Sequence, residues 1–156
     1  MKRTTFAACA ALALTAMAVA ACNRRMVYDR YVSTPISGWE KNDTLDFYVP
    51  PVDTGGVYQA SIGLRTNDTY PFTAVTLIVE QRNVTQDITR TDTVHCQLAD
   101  RRGNAAGKGI SYHQYVFDVS NSSLHTGDSL HIRIRHDMKR EILPGISDVG
   151  YTLVRE

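Results

Sequence analysis

Val19-Ala20-Ala21-Cys22 is the segment with the most definite chemistry in this sequence. Small residues directly before a cysteine form a lipobox. There the thiol takes up a diacylglyceryl group, and cleavage makes the cysteine the new N-terminus. Each buried acyl methylene contributes about 0.8 kcal/mol, and two or more chains hold a protein on a bilayer where one does not. An ordinary signal peptide cut nearby is the other reading, and it leaves Cys22 and Cys96 free to pair. With Cys22 acylated, Cys96 has no intramolecular partner, because Cys9 lies in the leader. Cys96 alternates with Val94 and Leu98, the pattern of a small buried hydrophobe rather than a reactive thiol.

The remaining motifs read more plainly. Gly103-Asn104-Ala105-Ala106-Gly107-Lys108-Gly109 has some features of a phosphate loop. That loop needs four residues between its glycines and then Lys-Ser/Thr. Here three intervene, and Gly109 replaces the hydroxyl that holds Mg²⁺, so a glycine-rich hairpin loop is expected. The five histidines (His95, His113, His125, His131, His136) show neither HxH nor HxxxH spacing. His131 and His136, five apart, point to opposite faces of a strand. No metal and no cofactor are expected. The carboxylates suit turns and strand ends, and Gly-x-Ser-x-Gly is absent from the sequence, so no catalytic residue is assigned and no enzyme is expected. Trp39, after Pro35 and Gly38, reads as a core plug at the entry to a strand rather than a ligand platform.

These residues need a scaffold, and the sequence describes one. Met1-Lys2-Arg3 is basic, and Phe6 to Ala21 is an apolar run broken only by Thr15. That run is short of the roughly 20 residues that span a bilayer and has the layout of a secretory leader. From Cys22 onward there are 15 basic and 16 acidic side chains, a formal charge of −1. Nucleic-acid binding is therefore not expected. The same part holds 13 Val, 9 Ile, 13 Thr and all 8 Tyr against 5 Ala, a composition that suits pleated, half-buried surfaces. Period-2 alternation marks Leu45/Phe47/Val49, Val75/Leu77/Val79, Leu130/Ile132/Ile134 and Val149/Tyr151/Leu153. Further strands are expected over Met26–Val32, Val57–Arg65, Thr91–Ala99 and Tyr112–Val119, and one helical turn over Met138–Leu143. Turn signals separate these runs. The expected fold is all-β, a single antiparallel β-sandwich of about eight strands, preceded by a cleaved lipoprotein signal peptide. Residues 1–21 form the signal, 22–37 the lipidated N-terminus and first strand, and 38–156 the remainder of one domain. Strand order is not readable from the pattern.

The lipobox, Tyr28-Asp29-Arg30-Tyr31, and Trp39 followed by Asp43 and Phe47 resemble the start of the GldH-type gliding-motility lipoproteins of Bacteroidota. Leu98-Ala99-Asp100 with Gly103, Gly107 and Gly109 fits the middle of that family. Leu143-Pro144-Gly145-Ile146-Ser147-Asp148-Val149-Gly150 is similar to its C-terminal block. The resemblance implies a small, non-enzymatic cell-envelope lipoprotein that docks on envelope protein partners and is held to the membrane by its lipid. It brings no catalytic residues. A glycan-binding lipoprotein is the alternative, with Tyr48, Tyr58, Tyr112 and Tyr115 as its aromatic pool. Within this group, Asp-Ser/Thr followed by an aliphatic residue is an O-glycosylation signal. It makes Thr44, Thr93 and Ser129 candidate acceptors, all at expected strand starts. Asn23-Arg24-Arg25 follows Cys22, with no acid before Asp29. The acidic export signal of surface lipoproteins is thus missing, and two arginines suit an anionic bilayer at about 1 kcal/mol each. The expected location is the inner leaflet of the outer membrane, with the domain in the periplasm.

Cys22→Ala is expected to abolish acylation and leave a precursor or a soluble product. Labelling cells with a fatty-acid analogue checks this, and incorporation equal to wild type contradicts the lipid anchor.

Overall fold

The computed structural model describes residues 25–156; the leader and Cys22 lie outside the described residues. The alternating runs become ten strands in chain order: β1 (Met26–Ser33), β2 (Trp39–Glu40), β3 (Leu45–Val49), β4 (Gly56–Asn67), β5 (Ala74–Asn83), β6 (Ile88–Gln97), β7 (Tyr112–Leu124), β8 (Leu130–His136), β9 (Ile142–Leu143) and β10 (Ile146–Arg155). Eight of them build two four-stranded antiparallel sheets, ordered β1-β10-β4-β7 and β3-β8-β5-β6. Counted without the short β2 and β9, these orders are 1-8-3-6 and 2-7-4-5, the jelly-roll arrangement of two Greek keys. The all-β sandwich expected from the sequence is thereby the observed fold. The Met138–Leu143 turn of helix is a correction. Ile142 and Leu143 instead pair with Glu40 and Trp39 in a small ribbon, and no helix occurs among the described residues. A two-residue strand is too short to show a period.

The interior is filled by the inward residues of both sheets. Ile62, Leu64, Tyr151 and Leu153 come from one, and Phe47, Leu77, Val79, Ile132 and Ile134 from the other, all essentially inaccessible. β8 shows the alternation most clearly, with Leu130, Ile132, Ile134 and His136 buried and Arg133 and Arg135 exposed. In β7 the alternation is reset. Ser61 pairs with Asp118 and Ala60 with Ser120, so Val119 is a bulge that allows both Phe117 and Ser120 to face inward. There the Ser120 hydroxyl accepts from the Gln81 amide at 2.9 Å, and the Tyr151 hydroxyl donates to the Gln81 carbonyl oxygen at 2.8 Å. The same amide reaches Asp92 at 3.2 Å. Gln81 thus joins β5 and β6 to β7 and β10 between the two sheets.

At one end, the ribbon closes the sandwich. Trp39 is fully buried, its indole N–H donating to the Asp43 carbonyl at 2.9 Å. Its ring lies edge-on to His136 at 5.2 Å. The plug reading of Trp39 is therefore the observed one. His136 Nε2 donates to the Trp39 carbonyl at 3.1 Å, and its Nδ1 accepts the Met138 N–H at 3.4 Å. A neutral imidazole satisfies both contacts. Gly145 takes a φ of +82° and turns the chain into β10. A side chain there would strike the Tyr70 backbone. At the other end, Asp128 is buried. Its Oδ2 accepts from the His125 N–H at 2.8 Å, the Asn83 amide at 2.9 Å and the Gln86 amide at 2.6 Å. Burial raises this carboxyl's pKa, but the donors together with the His125 imidazole outweigh that and hold it below the ordinary value.

Ile132→Ala is expected to cost about 2–5 kcal/mol by opening a cavity between the sheets. Arg133→Ala removes only exposed ion pairs to Glu80 and Asp46 and is expected to cost about 1 kcal/mol or less. Equal losses in urea denaturation contradict the one-sided burial of β8.

Burial, and secondarily the nearby Lys41, hold the His136 pKa below 6.5, the Trp39 contact opposing them. A depressed imidazole pKa means that the unfolded chain binds the proton more readily. The stability gained from neutral His136 is complete above the unfolded value near 6.5 and declines as pH falls towards the folded value. The stability difference between wild type and His136→Phe is expected to shrink as urea midpoints are measured at successively lower pH below 6.5. A pH-independent difference contradicts a neutral buried His136.

Candidate functional site

The candidate lipidation residue Cys22 lies outside the described residues, close in sequence to the first strand. β1 begins at Met26, four positions after Cys22. The Arg25 carbonyl already accepts the Arg155 N–H at 2.8 Å, which places the start of β1 and the end of β10 at one end of the sandwich. The loops at 50–55, 84–87 and 125–129 share that end.

The N-terminal and C-terminal motifs singled out in the sequence meet on the outer face of the β1-β10-β4-β7 sheet. Tyr31 pairs with Gly150, and Gly150 with Gly63. These two glycines leave a furrow that the Tyr31 ring fills, since a Cβ on either would fall within 2.7 Å of it. Gly in a strand marks such an approach. The Arg65 guanidinium lies 4.1 Å over the same ring, and the Gln114 amide donates to its hydroxyl at 3.4 Å. Burial raises the Tyr31 pKa, and Arg65 opposes the shift. At the same edge, Ser33 donates to Asp148 at 2.7 Å and Thr152 to Asp29 at 3.0 Å. The arrangement rigidifies a flat surface and ties the first strand to the last. Sequence reasoning assigned Tyr31, Gly63 and Arg65 no role; an unexplained glycine in each of two apolar runs was the available signal.

The opposite outer face, on β3-β8-β5-β6, is a charge lattice. Asp46 receives His131 at 2.7 Å and Arg133 at 4.0 Å, and Arg133 reaches Glu80 at 3.4 Å. Tyr48 stacks on His131 at 4.6 Å. His131 therefore faces solvent while His136 faces the core, as their spacing predicts. Of the four tyrosines in the aromatic pool, Tyr58 and Tyr115 are buried in the core. Tyr48 and Tyr112 are exposed but stand on different sheets.

The glycine-rich segment is an excursion over the edge of the sandwich. Asp100 builds it by accepting from the side-chain amide of Asn104 and from the N–H groups of Asn104 and Arg102. These bonds hold its carboxyl below the usual range. Gly107 lies flat on the Tyr115 ring. Lys108 then exchanges two backbone bonds with Gln114, of 3.1 and 2.9 Å. Cys96 is buried and forms no disulfide among the described residues, and burial pushes its thiol up to about 12. No cluster of metal-ligating side chains occurs among the described residues.

Of the three candidate acceptors, Thr44 and Ser129 are half-buried just before β3 and β8. Thr93 is exposed and sits within β6 rather than at a strand start, because β6 begins earlier, at Ile88. Asp128, which precedes Ser129, is committed to the corner described above.

A family model described as GldH lipoprotein matches residues 26–153. The gliding motility lipoprotein GldH of Flavobacterium johnsoniae is 30% identical over 155 residues, covering 91% of this chain and 92% of that protein. A GldH homolog of Christiangramia forsetii is 25% identical over 154 residues, covering 89% and 90%. Among solved structures, the mosquito-larvicidal Cry4Aa toxin of Bacillus thuringiensis superposes with a TM-score of 0.51 at 8% identity, over 82% of this chain and 21% of the toxin chain. That last likeness is one of fold alone. On the match of nearly the whole strand-bearing region, the chain belongs to the GldH lipoprotein family.

Proposed function

We propose that this protein is a gliding-motility lipoprotein that acts by docking rather than by catalysis, held through Cys22 to the inner leaflet of the outer membrane with its domain in the periplasm. The observation that carries this reading is the four-residue interval between Cys22 and the first paired strand. A chain extends by about 3.3–3.6 Å per residue, so the lipid keeps that end of the sandwich within about 15 Å of the bilayer. The two outer sheet faces and the far-end loops are then presented to envelope proteins. Asn23-Arg24-Arg25, without an early acid, supports the inner leaflet. The packed, jelly-roll interior supports a role for the surface rather than a pocket. The relatives named for gliding motility support the process. Of the three candidate acceptors, Thr93 is the one we assign as an O-glycosylation site, since it alone is exposed. Glycan capture remains the second reading, resting on Tyr48 stacked over His131.

Protease treatment of intact cells tests the location, with a known surface lipoprotein as control. The domain is expected to survive until the outer membrane is permeabilised. Shaving as fast as the control overturns the periplasmic assignment and favours glycan capture.

A further inference from the structure

We infer that the outer edge of β7 between Tyr115 and the Val119 bulge is a strand-addition site, which takes an extended, antiparallel segment of a separate partner protein with apolar residues at alternate positions and a basic residue facing Asp118. The inference rests on the docking reading and names its surface.

β7 is an edge strand, paired only with β4. Its free edge has already proved competent to pair. Gln114 donates its N–H to the Lys108 carbonyl and accepts the Lys108 N–H, at 2.9 and 3.1 Å. Backbone groups in an antiparallel strand alternate between its two sides. With Gln114 turned outward, Val116 and Asp118 also offer N–H and C=O away from β4. The chain's own loop does not follow them there. Ala106 turns its N–H to the Leu98 carbonyl at 2.9 Å, so the added strand leaves after one rung. An open cleft lined by Gln97, Ala106, Gly107, Tyr115, Val116 and Phe117 lies where it would have continued. Val116 is 65% exposed beside it. Edge strands are normally protected by Lys, Pro or extreme shortness. β3, five residues followed by Pro50-Pro51, is protected in that way. Residues 115–117 of β7 are Tyr-Val-Phe and carry no such device. Asp118 is exposed and forms no ion pair among the described residues, which assigns the basic residue of the partner.

A second copy of this chain fits poorly. Two β7 edges related by a twofold axis run antiparallel. Centred on Phe117, such a pair sets Gln114 opposite Ser120 of the other copy, the place where Lys108 already stands. A single thin strand that stops short of Lys108 meets no such obstacle.

The test uses the full lipidated chain in isolated envelopes carrying Val116→Cys, labelled with benzophenone maleimide and irradiated. Cys96 is spared because it is buried and its thiol is held near 12. Ile36→Cys, fully exposed at the far end, is the comparison. The expected result is an adduct from position 116 whose added mass is not that of this chain. Asp118→Asn should retain most of it, whereas Asp118→Pro, which removes the outward N–H, should lower it about tenfold or more. Equal loss in both variants overturns the ladder in favour of a side-chain contact, and an adduct of twice the chain mass overturns the separate partner. Adducts from Ile36→Cys alone overturn strand addition while leaving docking in place; no adduct from either position overturns both. Should Asp118→Pro lose its thermal transition, Val116→Pro against Val116→Thr, with the label at Tyr112→Cys, makes the same comparison.

Discussion

The hydrogen bond from Tyr151 to Gln81 fixes how the two sheets face each other. Each sheet has a greasy inner face, and apolar contact alone tolerates small slips between them. A buried hydroxyl and amide do not, because a displaced pair leaves polar atoms unsatisfied at about 1–3 kcal/mol each. Gln81 also reaches Ser120 and Asp92, so four strands are indexed to a single side chain. The Val119 bulge follows from the same demand. Without it Ser120 would point to solvent, and the amide of Gln81 would lose a partner in the interior.

With the sheets indexed, the two ends are finished by different means. One is closed by Trp39, His136 and the β2–β9 ribbon, an aromatic plug whose polar atoms each find a backbone partner. The other is closed by Asp128, which gathers the β5–β6 and β7–β8 turns on one carboxylate. This separation leaves the outer faces free of structural duty except around Tyr31, where Gly63 and Gly150 make the first strand inseparable from the last. The N-terminal and C-terminal motifs are thus one structural unit, distant in sequence and stacked in space.

Much of the fold was legible in the sequence, for a local reason. A strand with one buried face declares itself within five residues, and Leu130, Ile132 and Ile134 did so. Strand order was not legible, because β1 finds β10 across more than 110 positions and nothing local encodes that choice. Tyr58 and Tyr115, named in the aromatic pool of the glycan alternative, belong to the core; a tyrosine can be buried when its hydroxyl has a partner, as Tyr58 has in the Thr54 carbonyl. Thr93 was misplaced within its strand because β6 opens with the exposed Ile88-Thr89-Arg90, which shows no apolar alternation. At the site, the lipobox singles out Cys22 in the sequence but lies outside the described residues, while the Tyr31 furrow needed two glycines to be brought side by side by the sheet.

The direction of β1 has a mechanical consequence. Under the proposed attachment at Cys22, force applied through the lipid would enter at Arg25 and run along the strand axis, while the bonds that hold β1 to β10 lie across it. When the counterforce acts at the far end of the sandwich, that ladder is loaded in shear. Its rungs from Tyr28 to Ser33 then share the tension and cannot be peeled one at a time. An anchor on the opposite end of the same strand would make a zipper of it; the proposed anchor at Cys22 would make a lap joint.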